Sequence, residues 1–154
     1  MQLPDHKLLA TGLSIKLDNI NINSIMIKSV VNPDLHIVKD EWTLQGIYSG
    51  QVKKTGRSKS DFIIEGEGTM VLKYPNGKIV THTGGWLADK KHGYGITLKE
   101  QDKGNGIELL EKTEGNFLNG KMHGFCYVLA LDGTIFEGMF VNGKRNGYGR
   151  ESNR

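Results

Sequence analysis

The sequence predicts an all-β fold, an elongated, twisted, open antiparallel sheet built from consecutive β-hairpins. Two observations carry this. Glycine is in large excess, 21 of 154 residues, where an average chain has roughly 7%. These glycines also recur at fixed offsets beside aromatic residues and Asn-Gly pairs, which marks repeated tight turns. They form no Gly-X-Y series, so a collagen helix is excluded.

Three segments align. The first reads His82-Thr83-Gly84-Gly85-Trp86 and continues to His92-Gly93-Tyr94-Gly95. The second reads Thr113-Glu114-Gly115-Asn116-Phe117 and continues to His123-Gly124-Phe125-Cys126. The third reads Phe136-Glu137-Gly138-Met139-Phe140 and continues to Asn146-Gly147-Tyr148-Gly149. In each, a glycine precedes an aromatic by two, and a second glycine follows nine residues after the first. The second and third copies are 23 residues apart, Gly115 to Gly138; the first and second are 31 apart, Gly84 to Gly115. The extra eight fall around Gly104-Asn105-Gly106, where a longer loop is expected. A degenerate copy precedes them, with Gly46-Ile47-Tyr48 as its first half and Glu65-Gly66-Glu67-Gly68 as its second. A basic insertion, residues 51–64, lies between.

Each unit reads as one hairpin. Side chains alternate along a strand, so His82, Gly84 and Trp86 share a face, as do Phe136, Gly138 and Phe140. Asn119-Gly120 and Asn142-Gly143 supply turns in which both residues tolerate positive φ. Asp89-Lys90 stands in that place in the first unit, so its turn should differ. Second strands carry Tyr94, Ile96 and Leu98, or Phe125, Tyr127 and Leu129. Asn76-Gly77 and Asp132-Gly133 mark the connections between units. Residues 1–43 fall outside the pattern. Ile15, Leu17, Ile20, Ile22, Ile25 and Ile27 alternate in a way that reads as strands forming an N-terminal β cap over an otherwise open sheet edge. The organisation is therefore a cap over 1–43, a repeat sheet over 44–150 and a short tail, 151–154. Ten to twelve strands are expected.

These residues resemble the MORN (membrane occupation and recognition nexus) repeat, whose pattern is roughly Tyr-Glu-Gly-X-Trp, a Gly-Lys turn, then His-Gly-X-Gly. Phe136-Glu137-Gly138-Met139-Phe140 and Lys91-His92-Gly93-Tyr94-Gly95 match it closely. His82 and Thr113 depart from the first Tyr, Asn146 from the His and Cys126 from the last Gly. The resemblance implies a scaffold or adaptor in a cytoskeletal, ciliary or membrane-contact setting, with a groove able to hold a partner helix.

Little in the sequence points to catalysis. His92 and His123 hold equivalent positions and read as structural residues beside glycine turns, since a metal or acid–base site needs converging ligands. The Gly-Lys pairs lack the spaced glycine and following Ser/Thr of a phosphate loop. Cys126 is the sole cysteine, a strand residue with no base nearby in sequence, and reads as inert. No cofactor or metal is expected, and the chain is read as a non-enzyme. Net charge is +3 with a pI near 8.9, too mild and too dispersed to suggest nucleic acid. The amino-terminal residues lack an apolar signal region, and no apolar run reaches a membrane helix. A cytoplasmic protein is expected, with cytoskeletal, ciliary or membrane association as finer options.

The candidate partner-binding residues are the aromatics Tyr48, Trp86, Tyr94, Phe117, Phe125, Phe140 and Tyr148. A single-layer sheet leaves one face free to take a partner segment such as an amphipathic helix. The competing reading is that Tyr48, Trp86, Phe117 and Phe140 pack against Tyr94, Phe125 and Tyr148. Lys53, Lys54, Arg57 and Lys59 form a basic loop for an acidic lipid or acidic partner. An open edge near Arg150 leaves room for a homodimer.

Overall fold

The computed structural model describes residues 34–153. Nine antiparallel strands follow one another across a single sheet: β1 (Leu35–Thr43), β2 (Gly46–Lys54), β3 (Phe62–Lys73), β4 (Lys78–Leu87), β5 (Lys90–Asp102), β6 (Ile107–Leu118), β7 (Lys121–Ala130), β8 (Ile135–Val141) and β9 (Lys144–Ser152). Every strand pairs with its sequence neighbours, and no helix occurs among the described residues. The isoleucine-rich strands expected over residues 15–27 lie outside the described residues. The last part of the expected cap is β1, which pairs with β2.

The repeat is visible as a shared irregularity. Pairing slips between Gly84 and Trp86, between Gly115 and Phe117, and between Gly138 and Phe140. On the partner strand, three residues oppose one: 92–94, 123–125 and 146–148. Such a bulge bends a hairpin. The bent tips then dock on the preceding hairpin. Asp89 N–H donates to Ile64 O at 3.1 Å, Gly120 N–H to Lys91 O at 3.0 Å, and Gly143 N–H to Met122 O at 2.9 Å. Folding the tips over one face covers Trp86, Phe117 and Phe140, which are only 4–6% exposed. This is how one sheet obtains a core without a second layer.

The sheet's two faces differ accordingly. One, the ring face, carries Tyr48, Val52, Met70, His82, Trp86, Thr97, Thr113, Phe117, Cys126, Phe136 and Phe140, all buried. Its apolar residues form two clusters, one around Tyr48, Val52, Ile64, Met70 and Trp86, the other around Cys126, Phe136 and Phe140. Rings on this face lie over glycines of adjacent strands. A Cβ at Gly68 would collide with the Tyr48 ring, one at Gly149 with the Phe136 ring, and one at Gly95 would sit 2.6 Å from His82 Nε2. A strand glycine here makes room for a ring.

Three expectations need correction. The first hairpin turn is Ala88-Asp89, not Asp89-Lys90, since Leu87 pairs with Lys90. It does not differ in shape: Ala88 and Asp89 have φ of 50° and 66°, against 50° and 83° at Asn119-Gly120. Asp89 secures it by accepting from Ile64 N–H at 2.7 Å through Oδ1. Second, the eight extra residues near Gly104 mostly lengthen β5 and β6 to 13 and 12 residues, leaving only 103–106 as a loop. Third, the degenerate copy is in a different register. Tyr48 pairs with Met70, and Met70 with His82, so Tyr48 matches His82 and Phe136, and Val52 takes the place of Trp86. A slip between Gly50 and Val52 confirms this alignment.

Ala88 adopts a left-handed conformation that costs a non-glycine residue about 1 kcal/mol, in a place where the other units use asparagine. Ala88→Asn should therefore raise unfolding free energy in urea by ~0.5–1 kcal/mol. Gly68→Ala and Gly124→Ala should separate two roles of glycine. Gly124 has φ of 85° with open space around its Cα, so its substitution should cost only about 1 kcal/mol of backbone strain. Gly68→Ala displaces the Tyr48 ring and should cost about 3 kcal/mol.

Candidate functional site

The seven aromatic candidates divide between the two faces. Tyr48, Trp86, Phe117 and Phe140 lie on the ring face at 0–6% exposure. Trp86 stands edge-on to Tyr48 at 5.9 Å and to His82 at 5.3 Å, and His82 stands edge-on to Phe117 at 4.8 Å. Trp86 Nε1–H donates to Gly68 O at 3.1 Å, and the Tyr48 hydroxyl donates to Gln51 O at 2.8 Å. These side chains are satisfied core groups. They do not pack against Tyr94, Phe125 and Tyr148, which project from the opposite face.

Tyr94, Phe125 and Tyr148 are 51%, 53% and 77% exposed. They belong to the three bulges and recur on β5, β7 and β9. Asn116 of β6 pairs with Tyr94, and Met139 of β8 pairs with Phe125, so Asn116 and Met139 fill the intervening strands. The result is a lateral row, Tyr94–Asn116–Phe125–Met139–Tyr148, crossing five strands. At ~4.8 Å per strand it is ~19 Å long, with aromatics ~10 Å apart. Beside it on the same face runs a polar strip. The Tyr94 hydroxyl donates to Glu114 Oε1, Lys112 and Glu114 pair at 2.9 Å with both side chains less than a tenth exposed, and Arg150 pairs with Glu137 at 2.6 Å. Burial, then the hydrogen bond to Glu114, pushes the Tyr94 phenol well above its ordinary range. Asn116 and Met139 escaped the sequence reading because neither type signals binding by itself; their spacing within the repeat was the available signal.

The basic candidates surround the β2–β3 connection. Lys53, Arg57 and Lys59 are exposed. Lys54 lies over the Phe62 ring at 5.7 Å and donates from Nζ to Lys59 O at 3.1 Å. Asp61 orders the loop by accepting from Ser58 N–H at 2.9 Å.

His92 and His123 sit at equivalent bulges two strands apart. Among the described residues, no three His, Cys, Asp or Glu side chains group in a way that could hold a metal ion. Cys126 is fully buried, and burial pushes its thiol up.

The family model for the MORN repeat matches residues 82–98, 114–127 and 136–152. The chain carries MORN repeats. Each match spans the strand–tip–strand unit or its core, and the MORN glycines are those at the bulges and beneath the rings. The stretch over 46–68 lies outside the three matches, yet it places Gly50, Gly66 and Gly68 at the same structural positions. No curated protein matches the chain. MORN repeats generally take part in protein–protein or membrane interactions, and proteins built from them are typically non-catalytic.

His82 occupies the first aromatic position of a MORN unit and is 2% exposed. Its Nδ1 lies 2.7 Å from Thr97 Oγ1. Burial first, then the charge of Lys91, lowers its pKa from 6.5 to about 3. The unfolded chain thus binds a proton near pH 6.5 that the folded chain refuses until about pH 3. The stability held above pH 6.5 is lost as pH falls through this window, at up to ~1.4 kcal/mol per pH unit. His82→Phe keeps a ring over Gly95, as Phe136 lies over Gly149. Its unfolding free energy, followed by urea titration at several pH values, should fall less steeply between pH 6.5 and 3 than that of the wild type.

Proposed function

We propose that this chain is a non-catalytic protein-interaction scaffold or structural subunit that docks a partner segment on the outward aromatic row. The observation that carries this reading is the exposure of Tyr94, Phe125, Met139 and Tyr148 in one line. Exposed aromatics and methionine are the residue types that anchor interfaces. Repeats place them at a constant pitch. A helix rises 1.5 Å per residue, so a spacing of ~10 Å corresponds to about seven residues, two turns. An amphipathic helix with apolar residues at heptad spacing meets successive anchors with the same face. The buried aromatics Tyr48, Trp86, Phe117 and Phe140 support this surface from behind; the partner meets the outward set. A cytoplasmic setting suits such a scaffold.

Phe125→Ala/Tyr148→Ala removes two exposed rings that make no core contact, so stability should change by less than about 0.5 kcal/mol per site. Affinity-capture from native lysate should retain a protein with the wild type and lose it with the double variant. For the purified pair, affinity should fall by about tenfold or more. Equal capture by both forms, or capture by neither, would sink the reading.

A second reading rests on the exposed basic loop. Lys53, Arg57 and Lys59 project from one hairpin end, and each cation near an anionic bilayer contributes ~1 kcal/mol. Sedimentation with phosphatidylserine vesicles at low and high salt separates this reading from the first, because it needs the loop and not the aromatic row.

A further inference from the structure

The two apolar clusters of the ring face do not meet. Between them, at the β5–β6 pair, lies a cavity of about 200 Å³. The unit beside it departs from the repeat at two paired positions. In the first and third MORN units a ring, His82 or Phe136, lies over a glycine, Gly95 or Gly149. In the second unit the ring position is Thr113 and the glycine position is Cys126. Cys126 Sγ sits where it would be 2.8 Å from a Cβ at Gly115, so the thiol occupies part of the space a ring would take. The cavity itself is lined by Thr97, Thr113 and Phe117 and bordered by residues of the hairpin tips, Gly120 and Gly143.

The lining is cationic. Lys91, Lys99 and Lys121 border the cavity, with Glu111 as its acidic residue. Glu111 is occupied, pairing with Lys99 at 2.8 Å. Neither Lys91 nor Lys121 has a carboxylate in ion-pair range among the described residues. Lys91 is half-buried, with its ammonium 5.7 Å over the Phe117 ring. Burial and the neighbouring charge of Lys99 both disfavour its protonated form. Lys121 is exposed; a half-buried cation such as Lys91 without a counter-charge carries part of its desolvation cost, and an arriving anion would relieve it.

Two hydroxyls complete the donor set. Thr113 is one of the residues that line the cavity. Thr97 Oγ1 is held by His82, and the tautomer matters. His82 Nε2 is buried without a partner, which costs less as a bare lone pair than as an orphaned N–H. The proton then sits on Nδ1 and is donated to Thr97, leaving the Thr97 hydroxyl hydrogen free to point into the cavity.

We propose that this cavity binds a phosphate-type oxyanion, held by the ammonium groups of Lys91 and Lys121 and the hydroxyls of Thr97 and Thr113. Lysines act on phosphate as point charges, without the flat two-pronged geometry that arginine offers to a carboxylate. No arginine lines the cavity. The site lies on the ring face, so it is independent of the outward aromatic row, and the failure of either idea leaves the other standing.

The test is a titration of the folded chain with inorganic phosphate, followed by amide NMR at constant ionic strength. Saturable shifts at Thr97, Thr113, Gly120 and Lys121 are expected. In Lys91→Met, which keeps the aliphatic stem over Phe117, binding should weaken by about tenfold or more, the loss of one charged contact. Thr113→Phe/Cys126→Gly gives the second unit the ring-over-glycine pair of the others, removes the Thr113 hydroxyl from the cavity and should weaken the shifts; Lys91→Met carries the test alone if that variant does not fold. No saturable shifts up to tens of millimolar phosphate, shifts unchanged by Lys91→Met, or shifts confined to residues 53–59 would overturn the site. Phosphoserine binding with the same Lys91 dependence would identify a protein side chain as a source. A response to phosphatidic acid vesicles alone, with none to soluble phosphate or phosphoserine, would refute it.

Discussion

Everything in this fold depends on a ring reaching over a glycine of the neighbouring strand. A single-layer sheet has no second sheet or helix to bury its apolar side chains against. Tyr48 over Gly68, His82 over Gly95 and Phe136 over Gly149 solve this laterally. Removing the Cβ from one strand creates a trough for a ring of the next. The bulge after each ring position then bends the hairpin tip over the second aromatic of the unit. The tip's backbone hydrogen bond to the preceding hairpin locks that bend. Packing is thus transmitted from unit to unit along the sheet, as expected of a quasi-one-dimensional repeat.

The same arrangement explains what was legible in the sequence. Hairpins, turns and the buried faces of β4 and β8 followed from period-two alternation and from Asn-Gly and Gly-X-aromatic spacing. The faces of the second strands did not. The three residues opposing one at each bulge place Tyr94 opposite Asn116 and facing outward, while Trp86 points inward. Counting alternation through a bulge gives no warning of this. The Ala88-Asp89 turn was missed because its left-handed residues lack the usual Asn-Gly signature, and Asp89 compensates through its bond to Ile64. Tyr48 was misregistered because aromatic spacing alone cannot distinguish the first ring of a unit from the second; the glycine that each ring covers can.

The division of aromatics bears on how such a sheet can evolve new contacts. Ring-face aromatics are tied to glycines on adjacent strands, so each is constrained by a partner residue as well as by its own size. The outward row carries no such constraint. Phe125 and Tyr148 are exposed rings, and Tyr94 is tied only through its hydroxyl to Glu114, while the bulges hold their backbone in place. A scaffold of this kind separates residues that make the fold from residues that select the partner, although both arise from the same repeated motif.

The second unit shows what happens when the ring–glycine device is omitted. Thr113 and Cys126 leave the two apolar clusters separated, and polar contacts bridge the seam. On the ring face these are the His82–Thr97 hydrogen bond and the Lys99–Glu111 pair. On the outward face they are the Lys112–Glu114 pair, the Tyr94 hydroxyl on Glu114 and the Lys112 ammonium 5.8 Å over the Tyr127 ring. A buried ion pair adds little net stability, because desolvation offsets the attraction. It does penalise any shift in register, since a slip by one residue would strand a buried charge. Where apolar packing is missing, the β5–β6–β7 seam is therefore held in register by charge and hydrogen bonding. The cost of omitting the ring is a weaker joint in mid-sheet, and beside that joint lies the cavity bordered by Lys91, Lys121, Thr97 and Thr113.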